Sequence, residues 1–351
     1  MGHPAAASVS EPEPQVLCFG EALVDRLGPP GGDPAAGQDV DDRLGGAPAN
    51  VACALARLGT TAAFLGRLGR DRIGQAFAEL FATRRLNTRG VQWDERRPSR
   101  VVLVRRDRTG ERQFQGFCGA ADGGFADQAI DPEPLATFPL HGVRWLLMGT
   151  IPLASPPAAM ALQTLCDRAA AADVALALDV NWRPTFWDPA ADPAAGPTAA
   201  QKQIIHALLR RARLIKCANE EALWLFGHSD PRLIRDALPL RPAVVVTDGA
   251  QPLRWCLGDQ EGDMEVFPVV AVDTTGAGDA FTAGLLHGLI TWPHMLTSGS
   301  PQELRQLMQF AAACGALVCQ GPGAIDPQPD RTTVHSFLTA QGLEPLASAS
   351  P

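Results

Sequence analysis

The sequence predicts an α/β protein: a mainly parallel central sheet, helices on both of its faces, and a small β-lid. Three observations carry that expectation. Short, wholly apolar runs such as Val16–Phe19 and Trp145–Met148 alternate with stretches of helical spacing, the pattern of parallel strands buried between helices. Residues 101–117 interrupt the alternation with two strand-like runs around a polar turn, which reads as a hairpin. Finally, 351 residues, 46% apolar and 19% charged, suffice to bury a large core.

The elements follow in order. Residues 1–14, rich in Pro, Ala and Glu, are expected to be disordered, with an ordered unit over 15–340 and a tail over 341–351. Val16–Phe19 is the first buried strand and ends at Gly20. Residues 28–40 are a Gly/Pro-rich excursion. Asn50–Leu58 has helical spacing and stops at Gly59, a C-terminal cap. Ala62–Leu65 is a strand, and Ile73–Leu86 a helix. Val101–Val104, the turn Asp107–Gly110 and Arg112–Gln115 make the hairpin. Together, 27–45 and 100–118 are expected to build the lid. Val101, Leu103, Phe114 and Phe117 alternate with polar residues and are assigned to one apolar face. Such a face is costly in water, so the lid is expected to pack on a second subunit's lid in a homodimer. Trp145–Met148, Ala175–Leu178, Arg213–Ile215 and Val244–Thr247 then read as strands, with helices near 157–172, 201–212 and 219–227 and a surface loop over 188–200.

Composition excludes several classes of function. A net charge of −8 gives no support to nucleic-acid or anionic-membrane partners. Lys202 and Lys216 are the only lysines, and without a G-K-[ST] there is no P-loop. The eight cysteines form no C-x-x-C pair, which suits reduced, buried thiols. Phe310–Cys319 is too short an apolar run to span a membrane. With no basic and hydrophobic leader at the start, the expected location is cytoplasmic. The seven histidines form no H-E-x-x-H, and neither G-x-S-x-G nor G-x-G-x-x-G occurs.

Two segments carry chemistry. In DTTGAGDAF (273–281), Gly276, Ala277 and Gly278 precede an apolar helix. Their N–H groups can converge on an anion where the helix dipole also favours negative charge. Asp279 stands at the mouth of that site. A carboxylate at an anion site is electrostatically unfavourable, which implies a purpose: a base for a hydroxyl proton during phosphoryl transfer; the alternative is a helix cap. In GGAPAN (45–50), the paired glycines let a ligand approach the backbone, and Asn50 either caps its helix or holds a sugar hydroxyl.

DTTGAGDAFTAGLL (273–286) resembles the C-terminal signature of the ribokinase-like (pfkB) carbohydrate kinases, and GGAPANVACALARLG (45–59), with Gly69, resembles the N-terminal one. GEALVD (20–25), DVNWRP (179–184) and Phe186–Trp187 are similar to the family's fructokinase branch, VTDG (246–249) to its nucleotide-side strand end, and 313–316 and 323–325 to its late adenine-side stretch. The likeness runs from about residue 16 to 338 with every block in order. It implies a ribokinase-like three-layer α/β/α fold and an ATP-dependent kinase of a sugar's terminal hydroxyl, foremost D-fructose to fructose 6-phosphate. By the same resemblance Asp279 is the base and Gly276, Ala277 and Gly278 the anion hole. Asp25, Gly45, Gly46 and Asn50 hold the sugar, with Arg183 near its phosphoryl-accepting end or in a structural ion pair. Thr247, Gly249, Ala313, Gly315 and Ala316 border ATP. Glu221 organises Mg²⁺ through water, and Asp273 and Thr275 hold a monovalent cation, expected to be K⁺. Ala218 stands where the family often has the Asn of Asn-x-x-Glu, unless Asn219 supplies it in another register. Two rivals remain: a 2-keto-3-deoxygluconate kinase, whose substrate carboxylate would find Arg105, Arg106 or Arg112 on the lid, and a non-catalytic, fructokinase-like binding protein.

Overall fold

The computed structural model describes residues 13–29, 31–36, 39–106, 112–119 and 123–344. The expectations for 1–12, for the whole hairpin turn at 107–110 and for the end of the tail lie outside the described residues. In chain order the strands are β1 (Val16–Phe19), β2 (Leu23–Leu27), β3 (Asp41–Gly45), β4 (Ala62–Gly69), β5 (Val91–Asp94), β6 (Arg100–Arg106) and β7 (Arg112–Cys118). They continue with β8 (Trp145–Met148), β9 (Ala175–Asp179), β10 (Leu214–Ala218), β11 (Ala243–Asp248), β12 (Gln251–Leu257) and β13 (Gln260–Met264). Nine of them form one sheet in the order β13-β12-β11-β10-β9-β8-β1-β4-β5. It is parallel from β11 to β5, and β12 and β13 add an antiparallel edge.

Successive residues of a strand point to opposite faces, so each apolar run feeds two cores. Val16 and Cys18 pack with the Ala47–Leu58, Ala277–Thr291 and Pro301–Val318 helices. Leu17 and Phe19 pack with the Pro156–Ala171 and Ala199–Leu209 helices on the other side. The result is the three-layer α/β/α arrangement. No described helix is long and apolar enough to cross a membrane.

The second sheet, β3-β2-β6-β7, is the lid. The parallel pairing of β2 with β6 joins the two excursions; β2 itself begins at Leu23, four residues before the expected lid boundary. Its two faces differ from the expectation. Val101 and Leu103 pack outward on Val24, Leu44, Ile73 and Cys118. Val104 pairs with Phe114, and both line the cavity beneath together with Val102. Phe117, whose ring centroid is 5.2 Å from that of Phe114, shares this inner side. Alternation along β6 separates the two sets, and a one-residue bulge in β7, where Leu103 pairs Gly116 and Val104 pairs Phe114, brings Phe114 and Phe117 to the same face. Val101 and Leu103 are already 7% and 8% exposed within one chain, whereas Phe114 and Phe117, the other two residues of the expected face, are half-buried.

Candidate active site

The site forms at the carboxyl ends of the central strands, where open α/β sheets bind ligands. A cavity of about 620 Å³ opens between those ends, the lid and the start of the Ala277–Thr291 helix. Gly276 caps that helix with φ +79°, and a Cβ there would stand 2.5 Å from Ala324 Cβ. The turn therefore needs glycine on two counts. Helix N-termini leave their first N–H groups without intrahelical acceptors, so the turn presents donors to the cavity. Gly276, Gly278 and Asp279 line it, whereas the Ala277 N–H donates to the Thr274 carbonyl at 3.3 Å.

Asp279 is held by Asn50, whose Nδ2 donates to Oδ2 at 2.7 Å across 229 residues of chain. Burial, and then the repulsion of Asp179, push the Asp279 carboxyl up to about 6; Asn50, Lys216 and Arg183 partly offset them. Asn50 does not cap its helix with its side chain; Gly46, at φ +99°, occupies the cap position. The Asn50 Oδ1 is buried with no hydrogen-bond partner among the described residues, an orphan acceptor that a ligand hydroxyl would satisfy. Asp25 and Gly46 line the same wall, and Gly45 lies between the Asp25 and Asn50 carboxyl and amide oxygens. The four sugar-side residues inferred from sequence therefore come together.

Arg183 also lines the cavity, and its Nη1 donates to the Trp182 carbonyl at 2.8 Å. Glu221 is in the wall, each oxygen accepting one backbone N–H, from Trp182 at 2.7 Å and Ala218 at 2.8 Å. Burial raises its carboxyl above the usual range. Asn219, the alternative to the missing Asn, accepts at its Oδ1 from Arg254 Nη2 at 2.9 Å. Asp273 acts as a loop clamp: its carboxylate accepts from the Thr275 N–H at 3.0 Å and the Gly323 N–H at 2.8 Å.

The nucleotide-side residues divide. Thr247 and Gly249 lie at the end of β11, Gly249 open to solvent. Ala313 is wholly buried, and Gly315 lies against the Ala277 carbonyl between two helices. Both are packed within the fold where they were expected to border ATP; Ala316 is 9% exposed beside them. None of the five lines the cavity. Val270 and Val272, exposed just before Asp273, are apolar surface that the sequence reading passed over.

Three further polar groups went unassigned. Lys216 lies beside Asp179 in the paired β9–β10 register and bonds both its oxygens at 3.1 Å. Glu21, buried, accepts from the Ala47 N–H at 3.2 Å, and desolvation foremost lifts its carboxyl to about 8. Asn181 lines the cavity with φ +43°. The scarcity of lysine was the one signal that pointed to Lys216.

The family model for "pfkB family carbohydrate kinase" matches residues 13–331. The probable fructokinase-6, chloroplastic, of Arabidopsis thaliana is 32% identical over 334 residues, 94% of this chain and 83% of that protein. The fructokinase of Xylella fastidiosa, solved with bound ATP, superposes with a TM-score of 0.79 at 27% identity over 93% of this chain and 98% of that one. The fructokinase of Vibrio cholerae O395, solved with fructose, ADP and calcium ion, gives 0.76 at 26% identity over 93% and 99%. With its signature turn folded over a lidded cavity and nearly its whole length matched, the chain belongs to the pfkB family of carbohydrate kinases, on the fructokinase branch, and is a phosphotransferase acting on a sugar hydroxyl.

Proposed function

We propose that the enzyme transfers the γ-phosphoryl group of ATP to the terminal hydroxyl of D-fructose, giving fructose 6-phosphate. The observation that carries this reading is Asp279: a carboxylate at a helix N-terminus, oriented by Asn50 at 2.7 Å and facing the cavity. Asp279 accepts the hydroxyl proton, while the N–H groups at Gly276 and Gly278 face the charge on the transferring group. Asp25 and Asn50 orient the sugar, and Phe114, Val102 and Val104 roof it. Exposed Val270 and Val272 are suited to cover a nucleotide base beside the anion hole.

Mg²⁺ bound with the nucleotide neutralises phosphate charge. No group of three or more His, Cys, Asp or Glu gathers as a metal site among the described residues. Glu221, with both oxygens already accepting N–H groups, fits a hold through water rather than direct ligation. A potassium ion would need oxygens of the Asp273–Thr275 loop beyond those engaged in its clamp.

A neutral sugar is favoured over 2-keto-3-deoxygluconate. Arg106 Nε donates to the Gly28 carbonyl at 2.8 Å, Arg105 is exposed, and neither lines the cavity; the Arg112 side chain lies outside the described residues. A sugar panel at fixed Mg-ATP tests the reading: fructose is expected to give the highest kcat/KM. ADP release with another sugar but not with fructose overturns the substrate. Binding by calorimetry without turnover of any sugar would instead favour a non-catalytic role.

A further inference from the structure

Asn50 is held from behind by a third segment, the loop that follows the Pro301–Val318 helix. Gln328, 2% exposed, donates from Nε2 to the Asn50 carbonyl at 2.9 Å, across 278 residues of chain. The same loop supports the anion hole: the Gly323 N–H donates to Asp273 at 2.8 Å, and Ala324 lies against Gly276. Two arginines pin the loop in turn. Arg84 Nη2 donates to the Ile325 carbonyl at 3.0 Å, and Arg57 Nε to the Gln328 carbonyl at 3.3 Å. Gln328 therefore ties a held loop to the first turn of the Ala47–Leu58 helix, whose cap position, Gly46, has no side chain to fix the end. A carbonyl can only accept, so the amide of Gln328 has one orientation here. Its own Oε1 is then buried without a hydrogen-bond partner among the described residues. Leaving that oxygen unsatisfied is costly, and a Met or Leu would fill the same space without the cost. Packing alone does not account for a polar residue at this position.

We propose that Gln328 is a positioning residue for the phosphoryl transfer: it fixes the Asn50 backbone and, through it, the one amide that orients both the sugar and Asp279. The inference rests on the kinase reading above. Asn50 divides its amide between the two reactants, Nδ2 on the base at 2.7 Å and Oδ1 left for a sugar hydroxyl. A shift of its backbone misplaces both at once, and reactions between held groups are sensitive to such shifts. Gln328 itself does not line the cavity, so its effect on the reaction runs through Asn50.

Gln328→Met keeps the volume and removes the donor. It should lower kcat/KM for fructose about tenfold, short of the roughly 10²-fold that a misplacement of ~1 Å can cause, with KM for ATP within about threefold of wild type. A packing role would appear in the denaturation midpoint and would not produce that split between sugar and nucleotide. A double-mutant cycle tests the route. Asn50→Ala keeps the carbonyl that Gln328 holds and removes the amide, so in that background Gln328→Met should change kcat/KM by less than about twofold. Gln328→Leu, a second apolar replacement, should repeat both results. An equal loss in the two backgrounds, or a loss below about threefold in the otherwise wild-type enzyme, overturns the inference, as does failure of both single variants to fold. If the wild-type enzyme transfers phosphate to no sugar of the panel, the kinase reading falls and takes this inference with it. Wild-type turnover with a silent Gln328→Met overturns the inference alone.

Discussion

At Asp279 two requirements oppose each other. A base must be ionised to accept a proton, yet burial and the neighbouring Asp179 favour its neutral form and set the balance at about 6. Asp279→Asn keeps the shape and can still accept or donate at the Asn50 amide, but it cannot take the proton. Its kcat should fall by ~10²–10⁴, the usual value of general-base assistance, with substrate binding little changed. A variant retaining more than about a tenth of kcat in steady-state assays would be outside that range and would leave Asp279 only a structural role. Because the ionised form is the active one, kcat/KM should decline as pH drops below about 6. Asp179→Asn removes the repulsion and should move that acid limb to lower pH, which a pH–rate profile on both proteins would read.

The lid is tied to the body in part by one buried charged pair. Arg100, at the start of β6, makes two bonds to Asp127, at 2.7 and 2.9 Å, with both side chains nearly inaccessible. Its guanidinium also lies 4.9, 4.5 and 4.7 Å from the ring centres of Phe117, Phe125 and Phe186. These rings belong to the lid, to the short turn over Ala126–Ala129 and to the segment following Arg183, so the pair ties three pieces of cavity wall together. Removing one partner strands a buried charge. Arg100→Ala should destabilise the protein by ~3–5 kcal/mol, measured by chemical denaturation. Arg100→Met combined with Asp127→Leu should recover most of that loss, because the interior then holds no unpaired charge. A double variant as unstable as Arg100→Ala would mean that the aromatic contacts to Arg100, rather than its charge pairing, hold the lid.

Over the whole molecule, buried titratable groups set how stability responds to pH. Glu21 keeps a proton up to about 8 in the folded state, against 4.5 as the ordinary value. Its contribution is therefore full below 4.5 and is lost as pH rises through about 8. His287 behaves oppositely. Burial foremost lowers it from 6.5 to about 4, so its contribution is lost as pH falls through that interval. Its Nδ1 shares a bond of 2.7 Å with Thr60, and its ring stacks on Phe310. Glu21→Gln keeps an acceptor for the Ala47 N–H and removes the titration. The variant should match wild type near pH 4 and gain on it by about 1.4 kcal/mol per pH unit toward pH 8. Denaturation midpoints across that range measure the gain; a constant difference would mean that Glu21 is ionised in the folded protein.

The apolar runs and their helical spacers determined the α/β layering by themselves, because burying a strand on both faces requires unbroken apolar sequence. The turn at 276–278 and the acid after it were equally legible, since a helix-start anion site is built from consecutive residues. Contacts between distant segments were not. Lys216 meets Asp179 through the β9–β10 register, across 37 residues, and Asn50 reaches Asp279 across 229. The β12–β13 edge was missed although Leu253, Trp255 and Leu257 alternate along β12 and are buried, because its partner β13 is almost wholly polar. That Phe114 and Phe117 share the lid's inner face depended on a bulge in β7 that shifts its alternation midway. A sequence read along its own length records which side chains can be buried and which turns can form; which of them meet is decided when the sheet pairs and the lid folds over it.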